Sequence, residues 1–139
     1  MRRIVTAIFL VVIAETCDDP IKDDPSKIAY GVYIGTFIRT PAWMRSDSAN
    51  VTITFNDNSW TGQSDRINFP VLGEGTYKIE NELMFFTNLI EVSPGVDTTL
   101  ILSGRFQFTK NKTQLEIYRY YFGWGFEMSD EDRYILVKK

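Results

Sequence analysis

From Ile28 to Val137 the hydrophobic side chains recur at every second position, and no stretch of helical length shows a 3.6-residue spacing. A period of two puts alternate residues on opposite faces of a strand, so the chain is constrained to an all-β fold. Ile28 to Arg39 reads as a first strand, with Tyr33 and Phe37 on one face and Val32, Ile34 and Ile38 on the other. Gly31 and Gly35 within it predict a bend or a close backbone approach. Val51, Ile53 and Phe55 alternate inward, Asn56-Asp57-Asn58 supplies turn residues that tolerate positive φ, and Ser59-Trp60-Thr61-Gly62 begins the return.

Further along, Pro70 to Gly75 reads as a loop, Gly75 to Ile79 as a strand, Glu80-Asn81 as a turn and Glu82 to Phe86 as its partner. Thr98 to Thr109 reads as one long strand with Leu100, Leu102, Phe106 and Phe108 on a common face. Lys110-Asn111-Lys112 turns it into Thr113 to Phe122, and Arg133 to Val137 closes the series. About eight sequential antiparallel strands remove their free edges by closing into a barrel; the alternative is a two-sheet β-sandwich. A barrel of this size is filled by side chains or holds one small ligand.

The amino end has a different character. Arg2 and Arg3 precede an apolar run from Ile4 to Ala14, broken only by Thr6. The run is too short to cross a bilayer, which takes about 20 residues, and has the form of an export signal over residues 1–16. Cys17, the single cysteine, stands directly after it, where a lipidated cysteine would anchor the mature chain; ordinary signal-peptidase cleavage nearby is the alternative. Residues 17–27 are rich in aspartate and proline and read as a solvated tether. The single folded domain is then 28–139.

Composition excludes several chemistries. The chain has no histidine, which removes Ser-His-Asp and Cys-His catalysis and imidazole zinc sites. Its net charge of −3 and lack of a basic stripe argue against nucleic acid as a partner. Asp65, Arg66, Glu74 and Glu91 lie near expected loops, but no spacing pairs them as hydrolytic carboxylates, so an enzyme is not expected, nor a metal or other cofactor.

The order Val51-x-Ile53-x-Phe55, Asn56-Asp57-Asn58, Trp60-x-Gly62, Gly73-x-Gly75-Thr76-Tyr77, Leu102-x-Gly104-x-Phe106 and Leu115-x-Ile117 resembles the lipocalin-like, calycin-type lipoproteins of the Bacteroidetes. The resemblance spans residues 28 to 139 and rests on hairpin patterns. It implies a small barrel, an outer-membrane lipoprotein on the periplasmic or surface side, and ligand binding as the family-level expectation. In such lipoproteins an acidic string after the lipidated cysteine can direct surface display. Where true lipocalins carry Gly-x-Trp in the first strand, this chain has Gly35-Thr36-Phe37.

Four residues stand out as candidate ligand contacts. Arg119 shares the parity of Leu115 and Ile117, which points it inward, where a guanidinium needs an anionic partner from the protein or a ligand. Tyr118, Tyr120 and Trp124 belong to the densest aromatic stretch, and Gly123-Trp124-Gly125 has the form of a loop displaying an indole. Ser129-Asp130-Glu131-Asp132 reads as a solvated turn. Two functions follow. One is a lipid-anchored binding module holding a small apolar or amphipathic ligand, with Arg119 or a tyrosine hydroxyl at the mouth of a dry cavity. The other is a filled barrel presenting an aromatic loop to an envelope protein or glycan.

Overall fold

A computed structural model describes residues 24, 26–122 and 129–139, excluding the side chains of Phe122 and Ser129. Eight antiparallel strands close into a barrel in simple sequential order: β1 (Gly31–Thr40), β2 (Asp47–Phe55), β3 (Ser59–Ser64), β4 (Glu74–Glu80), β5 (Leu83–Asn88), β6 (Gly104–Lys110), β7 (Gln114–Phe122) and β8 (Ser129–Lys138). The ring is sealed by β1 against β8, where Tyr33 pairs with Lys138 and Arg39 with Asp132. Closure comes close at Gly35, because a β-carbon there would lie 1.9 Å from the carbonyl oxygen of Ile135. The close approach anticipated from the glycines of β1 is therefore real at Gly35.

Alternation decides what enters the interior. Tyr33 and Phe37 of β1, Phe55 of β2, Trp60 of β3, Tyr77 of β4, Phe86 of β5, Phe106 of β6 and Tyr134 of β8 are all buried, while β7 contributes Leu115 and Ile117. Rings from strands that are not neighbours in the wall meet in the middle. Phe55 and Phe86 have centroids 6.3 Å apart, Trp60 and Phe86 6.0 Å, and Phe106 and Tyr134 6.3 Å. Most of these pairs are edge-to-face or tilted, the arrangements that ring quadrupoles favour. Burying each such side chain contributes about 1.5–3 kcal/mol, so the rings dominate the stability of the barrel.

The two ends differ. One carries short turns: Asn56–Asn58, Asn81–Glu82 and Asn111–Thr113. At the β4–β5 turn both Asn81 and Glu82 have positive φ, which suits a two-residue hairpin; it falls one residue later than the sequence pattern predicts. The Asn56-Asp57-Asn58 hairpin forms without positive φ and is pinned by Tyr77, whose hydroxyl donates to the Asn56 carbonyl at 2.7 Å. Ile28 precedes β1 rather than belonging to it, and buries itself at this same end. The other end carries the connections 41–46, 65–73 and 89–103.

Two strand assignments differ from expectation. The strand expected over Thr98 to Thr109 begins only at Gly104, whose φ of 92° breaks the extended run; Thr98–Leu100 is a short 3-10 turn started by Asp97, whose carboxylate accepts from the Thr99 amide. The even-numbered side chains still face the core, and Leu102 is fully buried. The Ser129–Asp132 segment is not a solvated turn but the first part of β8, and Asp132 is 1 % exposed. Its neighbours in β7 and β1 supply the cations that let a carboxylate take an inward position.

Burial raises the pKa values of the interior tyrosines. Tyr77 is pushed up to about 12, chiefly by loss of solvent, and Tyr121 and Tyr134 are raised by burial and then by the Asp132 carboxylate. A phenol whose folded value exceeds its unfolded 10.0 adds stability below that pH and loses it as pH rises toward the folded value. Absorbance titration at 295 nm should therefore show Tyr77, Tyr121 and Tyr134 ionising only as near-UV circular dichroism collapses. Ionisation of all the tyrosines near pH 10 with the dichroism intact would contradict this packing.

Candidate functional site

Arg119, Asp132 and Arg39 lie side by side on β7, β8 and β1, paired across the strands in one row at the long-loop end. All three follow the inward parity of their strands. The Arg39 guanidinium grips Asp132 with two parallel bonds, Nε to Oδ1 at 2.7 Å and Nη2 to Oδ2 at 2.8 Å. From the other side Arg119 approaches Oδ2 at 3.3 Å, with its guanidinium carbon 4.5 Å from the Phe106 ring centre and 4.7 Å from that of Tyr121. The Tyr121 hydroxyl sits 2.8 Å from Oδ2 and 3.0 Å from the Thr99 carbonyl; its one hydrogen goes to the closer, charged acceptor.

The remaining donors reach the 89–103 connection. Arg39 bonds the Thr99 hydroxyl at 2.9 Å and the Thr99 carbonyl at 3.0 Å, and pairs with Asp97 at 3.3 Å. Arg119 donates to the Ser103 carbonyl at 2.8 Å. Desolvation would depress the Arg39 pKa, but its hydrogen bonds to Asp132 and the charges of Asp132 and Asp97 outweigh it, and the pKa is raised. Asp97 is held below the usual carboxylate value, first by the Thr99 hydroxyl, so its contribution to the turn is lost only as pH falls through that lowered value.

The cluster thus fastens a loop over the barrel mouth. Residues 65–73 and 89–103 are also joined to each other, through Val71 N–H to the Leu100 carbonyl at 3.0 Å and Leu102 N–H to the Val71 carbonyl at 3.3 Å. Leu102 fills the mouth, and Phe69 packs edge-to-face on Phe37 at 5.3 Å. The groups in this cluster form a hydrogen-bonded lock rather than a reactive arrangement.

Of the four residues singled out from sequence, the three that are described do not converge. Arg119 points inward as its parity predicts, and the anionic partner it needs is the chain's own Asp132. Tyr118 and Tyr120 lie on the outer face of β7, their rings 5.8 Å apart, with the Arg133 guanidinium 5.4 Å over Tyr118. Trp124, Cys17, the 1–16 signal segment and most of the 17–27 tether lie outside the described residues. Arg39, Asp132 and Tyr121 were not anticipated, although the parity of Phe37, Tyr134 and Ile117 points to each of them.

The same end also displays apolar side chains. Trp43 is 84 % exposed and Met44 74 %, in the connection between β1 and β2, and Ile67 is 94 % exposed in the connection between β3 and β4. Beside them, the Ala42 amide donates to Asp130 at 2.8 Å, and the Arg66 side chain pairs with Asp47 at 2.6 Å. Among the described residues no group of three acidic or cysteine side chains is arranged to hold a metal. Comparison with protein-family models, curated proteins and solved structures finds no match to this chain.

Replacing Asp132 by Ala leaves two guanidinium groups facing one another at the mouth and should cost about 3–5 kcal/mol, the usual consequence of stripping one partner from a buried ion pair. Amide exchange at residues 97–103 should accelerate well before global unfolding. A loss below about 1 kcal/mol, with exchange in that loop unchanged, would show that the row does not hold the loop.

Proposed function

We propose that the protein is a lipid-anchored envelope interaction module: a filled barrel, tethered through Cys17 to the outer membrane, that offers its long-loop rim to a protein partner. The observation that carries this reading is the exposure of Trp43, Met44 and Ile67 together at one end of the barrel, with Ala42 beside Trp43 anchored to Asp130. Large apolar and aromatic side chains dominate the energetics of protein interfaces, and ordering them beforehand lowers the entropic cost of association. The meeting of Phe55 with Phe86 inside the wall supports an outward-facing role over ligand storage.

The direction of the chain supports the anchor. Ile28 is seated at the short-turn end, and Lys110 donates there to the carbonyls of Asp24 and Lys27. Seven further residues back to Cys17 reach at most about 25 Å. A lipid on Cys17 would hold the short-turn end toward the membrane and turn the rim away from it.

In the native host, a photo-crosslinking residue at position 43 should capture a discrete envelope protein that the same residue at position 78, on β4, does not. Met44→Ser with Ile67→Ser should lower that yield at least tenfold, and Cys17→Ser should release the protein from the membrane fraction. Equal crosslinking from both positions would refute the rim, and membrane retention of the serine variant would refute the anchor.

A further inference from the structure

The cationic side chains are sorted along the barrel axis. All six described lysines, Lys27, Lys78, Lys110, Lys112, Lys138 and Lys139, lie toward the short-turn end. The six described arginines lie toward the long-loop end, and four of them, Arg39, Arg66, Arg119 and Arg133, are paired with carboxylates.

Five of the lysines converge on one side of the short-turn end. Lys110 and Lys112 flank the β6–β7 turn and, with Ile28 and Tyr33, line a small recess there. The Lys110 ammonium holds the incoming chain against this turn through the carbonyls of Asp24 and Lys27. β8 ends beside both: the Lys138 amide donates to the Thr113 carbonyl at 2.7 Å, and the Lys139 amide to the Val32 carbonyl at 2.9 Å. Lys138 keeps the inward parity of Tyr134 and Leu136, so its stem lies across the end of the barrel, with Cε 3.1 Å from where a β-carbon on Gly31 would be. Among the described residues, Lys110, Lys112, Lys138 and Lys139 have no carboxylate partner; Asp24 lies 3.9 Å from Lys27. The other carboxylates of this end sit at the β2–β3 and β4–β5 turns, where Asp57 accepts from the Tyr30 hydroxyl at 2.6 Å and Glu80 pairs with Lys78 at 3.0 Å.

We infer that this lysine side docks on an anionic, phosphate-bearing lipid surface. The inference rests on the anchored orientation proposed above, in which this end faces the membrane within about 25 Å of the lipid on Cys17. The tether thus names the occupant, and the charge of the side it meets is complementary to it. An ammonium is a compact, hydrated point charge on a flexible stem, which suits a diffuse layer of headgroups, whereas fixed ion pairs favour the planar fork of arginine. Each lysine held near such a surface strengthens association about fivefold, and salt screens the effect. At physiological salt the patch orients the anchored domain without replacing its anchor, so the release expected of Cys17→Ser stands.

The test is vesicle sedimentation of the chain from residue 17 onward carrying Cys17→Ser, which has no lipid of its own. At about 25 mM salt, phosphatidylcholine vesicles with about 30 % phosphatidylglycerol should bind it at least about twentyfold more tightly than phosphatidylcholine alone, and the difference should vanish at about 500 mM. Lys112→Gln with Lys139→Gln, both exposed, should weaken that binding at least about fivefold. Arg45→Gln with Arg105→Gln removes the same charge from the other half of the barrel and should change it less than about twofold. Equal binding to both kinds of vesicle, a lysine pair that binds as the parent does, or an equal loss in the arginine pair overturns the inference. So does binding that appears only after Asp18→Asn, Asp19→Asn and Asp23→Asn, because the acidic tether would then be what occupies the lysines. Each of these outcomes is independent of whether Cys17→Ser releases the protein in its host, so the patch and the anchor are judged separately.

Discussion

The contact between Phe55 and Phe86 is the constraint on which the rest of this structure depends. These rings belong to β2 and β5, separated by two strands in the wall, and they meet at 6.3 Å. A barrel whose opposite walls touch has a core instead of a lumen. Tyr33, Phe37, Trp60, Tyr77, Phe106 and Tyr134 are buried with them, so seven of the eight strands commit a buried aromatic side chain to one shared interior. That explains how a domain of this length with a single cysteine, and so no internal disulfide, sustains a closed sheet: the rings bury much apolar area for the number of residues ordered.

A filled interior moves the interesting chemistry to the ends. At the long-loop end the row Arg119–Asp132–Arg39 converts three charges into a fastening for the 89–103 connection. Buried ion pairs add little net stability compared with apolar packing, but they fix one geometry and penalise its loss. Here the geometry fixed is that of Leu102 seated in the mouth. At the same end Trp43, Met44 and Ile67 remain uncovered.

Much of the fold was legible from alternation alone. Parity along β2 and β7 assigns Val51, Ile53, Phe55, Leu115 and Ile117 to the interior, where they are found, and it groups Tyr33 with Phe37 on one face of β1, which is the buried one. The errors have a common cause. Asp132 looked solvated because it sits in an acidic run, yet parity with Tyr134 places it inside, and the neutralising arginines lie 93 and 13 residues away in sequence. Charge was taken as a sign of solvent where it was a sign of pairing. Arg119 was found because it stood among apolar neighbours, whereas Arg39, at the end of its strand, had no such contrast. The 3-10 turn at Thr98 was hidden because its leucines keep strand parity through Leu100 and Leu102. The rim residues carried no pattern at all, since loop exposure is set by how neighbouring loops pack.

A filled barrel requires rings from strands that are not neighbours in the wall to be in contact in solution. Aromatic nuclear Overhauser spectroscopy on the isolated domain measures that directly. The filled barrel predicts cross-peaks between the Phe55 and Phe86 rings and between Phe106 and Tyr134, with no signal from a co-purified ligand between them. Absence of both ring contacts, together with cross-peaks from interior side chains to a bound apolar molecule, would contradict it.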